Sequence, residues 1–462
     1  MSENEKKYQG LNLSAKSFIT AIAVIFALMV LTYVLTFLIP GGAYDRLDGK
    51  VVEGSYHSVE GGIPFYRWIL SPFLVLGAEG SGTLIAVIAF LLVIGGVFNA
   101  LGEHGLMAYM LGKITSKFGK QRYKLLAVTS FFFMAMGAAI GSFEECVPLV
   151  PIVVALALSL GFDALTGMGM SLLAVGCGFA SGVCNPFTVG VAQQLAGLPM
   201  FSGIWLRLLG FVLIYALLLT FLYFHAKKVE KPINREVEDN FVKDAAMDRG
   251  LLVFVSIIGF GILLVLSSSF LTFLQDYTMI IVAVMFLVGG IAATLVSGMG
   301  VKTLGKSFGK GVLGICPAVL MILMASSIKY TLDEANVLDT VLHGAVDLAQ
   351  VMPKWVIILF IYLIVLVMNF FIGSGSAKAF MLIPLIVPLA AQFGISAQLC
   401  IVAFAFGDGF SNVFYPTNAA LLISLGLADV NYADWVKWSY KFQLANLVLT
   451  SLLLLLGLAV GY

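Results

Sequence analysis

The sequence predicts an all-α polytopic membrane protein built of two inverted-topology repeats, each with a re-entrant hairpin and a broken helix. Three observations carry this expectation. Only 11% of the 462 residues are charged, 60% are hydrophobic, and the mean hydropathy is +1.03. A soluble domain carries about 25% charged residues, so too few polar side chains exist here to cover a surface facing water. The apolar residues also form continuous runs, as in Ser17–Leu38, Leu251–Leu274, Thr278–Val296 and Phe442–Val460. About 20 residues of helix cross a bilayer, whereas a barrel would show alternating segments of about ten. Finally, the second half of the chain echoes the first.

In chain order, the N-terminal half (1–224) is expected to hold spans at 17–38, 83–101 and 124–140, a hairpin at 141–160, a broken helix at 166–196 and a span at 204–224. The first run is too long for the apolar core of a secretory leader and lacks a small-residue cleavage site, so it reads as a retained span. Residues 225–249 alternate charges around Pro232 and read as a cytoplasmic linker. The C-terminal half (250–462) is expected to hold spans at 251–274, 278–298, 311–328 and 355–372, a hairpin at 373–392, a broken helix at 396–424 and a span at 438–460.

Basic residues in short loops mark the cytoplasmic side. Lys6, Lys7 and Lys16, the cluster Lys113–Lys124, the linker with Lys227, Lys228 and Lys231, and Lys302, Lys306 and Lys310 all read as inside. The acidic stretches 40–67 and 329–354 read as outside. The expected location is the bacterial inner membrane, multi-pass, with a cytoplasmic N-terminus. The repeat is read from coincident proline, glycine and asparagine. At an offset of 233, Pro151 meets Pro384, Gly161 meets Gly394, Gly176 meets Gly409 and Asn185 meets Asn418. The loop after 83–101 is basic and its counterpart after 311–328 is acidic, so the halves are expected to be inverted, with 250–269 as the extra span.

Each half has two interruptions. Gly141–Pro151 and Gly373–Pro388 each place a polar tip before two prolines: Ser142, Glu144 and Glu145 in the first, Ser374, Ser376 and Lys378 in the second. Proline removes a backbone donor, and irregular backbone survives at membrane depth only inside protein or along a wet cavity, so both read as re-entrant hairpins. Gly176–Thr188 and Gly407–Asn418 read as helices unwound in the middle, exposing Asn185, Thr188, Asn412, Thr417 and Asn418. Half-helix N-termini suit a carboxylate, and unwound carbonyls suit a cation such as sodium. Charge at membrane depth is costly and marks function by default, which singles out Glu144, Glu145, Lys378 and Asp408. The bland alternatives are a Glu145–Lys378 ion pair between the hairpins and a structural acceptor role for Asp408. Arg207 reads as an interfacial anchor and Asp163 as a helix cap.

Other features limit the function classes. A net charge of +1 gives no reason to expect nucleic acid. Five scattered cysteines and four scattered histidines outline no disulfide framework and no metal site, and no cofactor is expected. Gly300–Ser307 spells a phosphate-binding loop, but it lies between two spans with no room for the strand and helix that such a loop needs. The sequon at Asn12 lies on the expected cytoplasmic side.

The tracts GSFEECVPLVPI (Gly141–Ile152), NPFTVGVAQQLAGLPMFSG (Asn185–Gly203) and Gly373–Asn418 resemble the YfcC-like membrane proteins, grouped with the DcuC-type anaerobic dicarboxylate carriers of the ion transporter superfamily. The resemblance covers most of the chain and includes the paired glutamates Glu144 and Glu145 before Pro148. It implies paired hairpins in inverted repeats, elevator-type transport, a homodimer, coupling to sodium or protons or operation as an exchanger, and antiport of basic amino acids such as arginine for ornithine. One departure stands out: Gly373-Ser-Gly-Ser-Ala-Lys replaces the Ser-Asn-Thr hairpin tips of related sodium/dicarboxylate carriers. The leading expectation is an amino acid carrier, with the glutamates meeting a cationic group and Lys378, helix ends and hydroxyls meeting the carboxylate. A carboxylate or dicarboxylate carrier is the alternative. A passive channel wants a symmetric pore, and an embedded enzyme needs a nucleophile–base or metal constellation; the sequence offers neither.

Overall fold

The computed structural model describes residues 15–47, 50–78, 81–118, 121–141, 143–199, 201–232, 243–267, 277–349 and 352–462. The chain is helical almost throughout. The N-terminal half contains α1 (Ala15–Leu38), α2 (Phe65–Leu74), α3 (Ser81–Glu103), α4 (Leu106–Phe118), α5 (Arg122–Ile140), a 3-10 turn (Glu144–Leu149) leading into α6 (Val150–Ser159), and α7 (Ala164–Met168). A π-helical turn (Gly169–Leu173) joins α7 to α8 (Ala174–Ser181); a second (Pro186–Gly190) leads into α9 (Val191–Leu195), and α10 (Ile204–Val229) follows. The C-terminal half contains α11 (Ala245–Ser267), α12 (Thr278–Val296), α13 (Val301–Glu334), α14 (Val337–Ala349), α15 (Lys354–Phe371), α16 (Gly375–Gln392), α17 (Ala397–Ser411), α18 (Ala419–Leu427) and α19 (Tyr432–Ala459).

Among the described residues, eight helices are long and apolar enough to cross a membrane by length and composition. Their burial sorts them into layers. Ala164–Ser181 is 89% buried, whereas Ala245–Leu264 is 22% buried; the first lies inside the helix bundle and the second turns most of its surface outward. Outward-facing residues are large and apolar, Leu252, Val255, Phe260 and Leu263 on α11 and Phe224 on α10 among them. Such a surface is stable against lipid and not against water.

The charged ends separate into two groups. At one end Lys113 pairs with Asp248 at 2.5 Å, Arg122 with Glu230, and Lys310 with Glu103 at 3.0 Å. At the other, Arg46 and the Tyr44 amide meet Asp339 at 2.8 and 3.0 Å, and Arg67 meets Glu334 at 2.7 Å. Stretches read as inside therefore meet one another, as do stretches read as outside. The acidic end carries two short antiparallel ribbons, Gly42–Ala43 with His57–Ser58 and Arg46–Leu47 with Lys50–Val51. These ribbons and the helices α2, α4 and α14 were not expected, because 10 to 13 residues are too few to register as a span.

Several expectations are corrected. The helix expected at 311–328 runs from Val301 to Glu334, about 51 Å at 1.5 Å per residue, so its charged ends had been read as loops. Lys302–Lys310 lie in its first turns, which also disposes of the phosphate-loop reading of Gly300–Ser307. The unwinding expected at Gly176 and at Gly407–Gly409 lies further on: α8 continues to Ser181 and α17 to Ser411. Those glycines serve contact instead. A Cβ on Gly178 would strike the Met134 carbonyl, and one on Gly409 would overlap the Ala180 backbone. Pro384 and Pro388 sit inside an unbroken α16. Arg207, expected at an interface, is fully buried, because the Phe201–Gly203 turn and Tyr462 cover the start of α10. Asp163 caps α7 by accepting from the Thr166 amide at 2.8 Å. Burial alone would raise its carboxyl, but the hydrogen bonds from His225 and Thr166 outweigh that and hold it below the usual carboxylate range.

Candidate functional site

Two hairpin tips and two helix breaks meet in the middle of the bundle. The first tip follows α5, which ends on Gly141 at φ 73°. Only glycine suits that conformation and position, since a Cβ would fall 2.6 Å from Cγ of Asn185. The first break, Gly182–Asn185, is tied to this tip by the Cys184 amide donating to Ala138 O at 2.9 Å. Asn185 Oδ1 accepts from the Thr188 amide at 3.3 Å, capping the segment that follows. Glu144 opens the 3-10 turn just past the tip. Ser142 and the side chain of Glu145 lie outside the described residues.

The second tip lies between α15 and α16. Ser374 caps α16 by accepting from the Ala377 amide at 3.4 Å. Gly375 lies against Thr188 and Asp408: a Cβ there would come within 2.5 Å of the Thr188 methyl and 2.6 Å of Asp408 Oδ2. One turn on, Lys378 is fully buried: its ammonium donates to Ile372 O at 2.8 Å and to Asn369 Oδ1, and forms an ion pair with Asp408 Oδ1 at 2.6 Å. Three oxygens thus surround the ammonium in this conformation. Lys378 thus pairs with Asp408; the expected Glu145–Lys378 pair falls on a side chain outside the described residues. Asn369 Nδ2 reaches Asp408 O at 3.1 Å, Ser411 Oγ at 2.6 Å and Asn412 Oδ1 at 3.0 Å. Asn412 Oδ1 also accepts from Asn418 Nδ2 at 3.1 Å, and Asn418 Oδ1 caps α18 through the Leu421 amide at 3.1 Å.

These elements form one wall of a cavity of about 260 Å³. Glu144, Ser374, Thr417 and Asn418 face it, and the start of α18 closes one side. The opposite wall is α3 and α13, which contribute Ser81, Ser326, Lys329, Tyr330 and Asp333. Lys329 and Asp333 pair at 3.4 Å. Of the residues singled out in the sequence, Glu144, Ser374, Thr417 and Asn418 line the cavity. Asn185, Thr188, Lys378, Asp408 and Asn412 lie behind that wall, and Ser376 Oγ lies 3.4 Å from Ser374 Oγ. Sequence reasoning missed Asn369 and the α13 side chains. Asn369 is an uncharged residue inside an apolar run, and Lys329 and Asp333 passed for a loop because α13 outlasts its apolar stretch.

The cavity joins acceptors and donors in a small space. Glu144 offers a carboxylate to a cationic group, and the N-termini of α16 and α18 offer partial positive charge to an anionic one. A solute bearing both charges meets a partner for each.

The chain is 29% identical over 492 aligned positions to an Escherichia coli protein named "Putative basic amino acid antiporter YfcC", covering 96% of each chain. It is 23% identical to an uncharacterised Haemophilus influenzae protein, covering 95% of this chain and 96% of the other. Among solved structures, the Alcanivorax borkumensis YdaH transporter matches with a TM-score of 0.44 at 18% identity, covering 96% of this chain and 99% of that one. Neisseria gonorrhoeae MtrF, from a class of antimetabolite efflux pumps, matches with a TM-score of 0.45 at 15% identity, covering 97% and 96%. The family model of the C4-dicarboxylate anaerobic carriers, DcuC, matches residues 18–459, so the chain belongs to the DcuC family and is a multi-pass membrane transporter of the DcuC/YfcC type.

Proposed function

We propose that the protein exchanges a basic amino acid across the cell membrane by alternating access, the hairpin-bearing wall of the cavity moving against α3 and α13. The observation that carries this reading is the meeting of Glu144 with the N-termini of α16 and α18 around one cavity. A basic amino acid presents its side-chain cation to the first and its α-carboxylate to the second. The name of the Escherichia coli relative, at 29% identity over nearly the whole chain, supports the same substrate class. Lys378, fully buried and paired with Asp408 away from the cavity lining, takes no part in binding the carboxylate.

Equivalent caps support inverted halves. At the offset of 233, Asp163 and Ser396 each accept from the amide three residues on, as do Asn185 and Asn418. The hairpin α5–α6 opens beside Lys231, whose amide donates to Gly161 O at 2.8 Å, at the end of α10. The hairpin α15–α16 opens where Lys354 donates to Gly394 O at 2.7 Å; the neighbouring residues Ser396 and Tyr462 lie by Gly203, at the start of α10.

A second reading, a dicarboxylate carrier, is favoured by Lys329 in the cavity wall and by the family's description. Calorimetric binding to purified protein separates the two. The amino acid reading expects arginine or ornithine to bind the wild type. Glu144→Gln should weaken that binding about ten- to a hundredfold, the worth of a charge-assisted contact of about 1.5–3 kcal/mol, with a smaller loss for a neutral amino acid. Tight succinate or fumarate binding without any response to arginine would end it.

A further inference from the structure

The shell around the Lys378 ammonium is a cation site in its chemistry. Three oxygens surround the ammonium: one from the carboxylate of Asp408 on α17, paired at 2.6 Å, and two that accept its hydrogen bonds, the amide oxygen of Asn369 on α15 and the main-chain carbonyl of Ile372 where α15 ends. Carboxylate, amide oxygen and helix-end carbonyl are the ligands a hard cation takes at a broken helix. A sodium ion does not fit among them, because the ammonium holds the oxygens it would need. We propose that Lys378 is a tethered replacement for a coupling cation, so that the second broken helix works without sodium.

The position has a direct route to the cavity. Asn369 links the ammonium to Asn412, and Asn412 accepts from Asn418, whose side chain faces the cavity. A free ion would bind and leave, altering this network each time; a lysine is part of the chain and cannot leave. Solute affinity should therefore carry no sodium dependence through this network, since linkage between two ligands requires that both bind. The inference presupposes the transporter reading only in calling the cation a coupling ion.

The test is thermal unfolding of the purified full-length protein in detergent, with sodium chloride compared against choline chloride at equal ionic strength. No solute is needed, so failure here is separable from failure of the amino acid reading. The wild type should unfold at the same temperature in both salts. Lys378→Ala should unfold at a lower temperature and regain stability saturably with sodium or methylammonium but not choline, by on the order of a few degrees at concentrations well above Kd. Adding Asp408→Asn should abolish that rescue. A Lys378→Ala protein indifferent to every small cation would reduce Lys378–Asp408 to a structural ion pair and overturn the proposal. Lys378→Met, which keeps most of the stem, is the second variant. If neither variant folds, the wild type decides: a saturable rise with sodium overturns the proposal, and a flat response supports it.

Discussion

Asn369 holds the second half of the site together through one amide group. Its oxygen accepts from Lys378, and its nitrogen serves Asp408 O, Ser411 Oγ and Asn412 Oδ1. Removing it leaves the buried ammonium one acceptor short, and an unsatisfied buried polar group costs about 1–3 kcal/mol. Asn369→Ala and Asn369→Leu should both lower the unfolding temperature, the leucine no less than the alanine, because shape is not what is lost. An unchanged melting curve for either would show the network to be dispensable. Nothing in the sequence marks this residue. Lys378 and Asp408 were visible because charge at membrane depth is costly. Their pairing was not, since Glu145 offered an equally good partner until the packing of α16 against α17 brought Asp408 within 2.6 Å.

At the scale of elements, the glycines expected as breakers at Gly176, Gly178, Gly407 and Gly409 are contact residues inside helices, as is Gly137. Gly137 and Gly178 let α5 approach α8, and Gly409 lets α17 cross α8 at Ala180. Small residues permit this closeness between membrane helices. The hairpins and breaks were legible from proline, glycine and polar residues in apolar sequence, but their limits were not, because a glycine inside a helix and one at its end look alike without the neighbouring helix. Position therefore decides the outcome of substitution. Gly409→Val should abolish recovery of folded protein, since backbone cannot yield to a branched side chain. Gly305→Ala and Gly309→Ala, in α13 with open space around each, should be neutral or raise stability by about 0.5–1 kcal/mol each. Size-exclusion profiles and melting curves of the three variants check this; a monodisperse, stable Gly409→Val protein would mean that the α8–α17 crossing is not as close as described.

For the whole molecule, the arrangement of loops was the most legible feature, because charge patterning is set by the membrane and not by packing. Stretches of like character converge: Lys113 with Asp248 and Arg122 with Glu230 at one end, Arg46 with Asp339 and Arg67 with Glu334 at the other. The ribbons and α14 at the acidic end were illegible, being too short to show periodicity. Which end faces the cytoplasm rests on the excess of lysine and arginine in short loops. Lys228, at the end of α10, and Glu53, beside the ribbons, are both exposed and report the two ends. In a background with the five native cysteines replaced, Lys228→Cys should resist an impermeant maleimide in intact cells and react after permeabilisation, whereas Glu53→Cys should react in intact cells. Labelling of both in intact cells would deny that a membrane separates the two ends. The reverse pattern would keep the fold but turn it over, placing the Arg46–Asp339 and Arg67–Glu334 pairs at the cytoplasmic face.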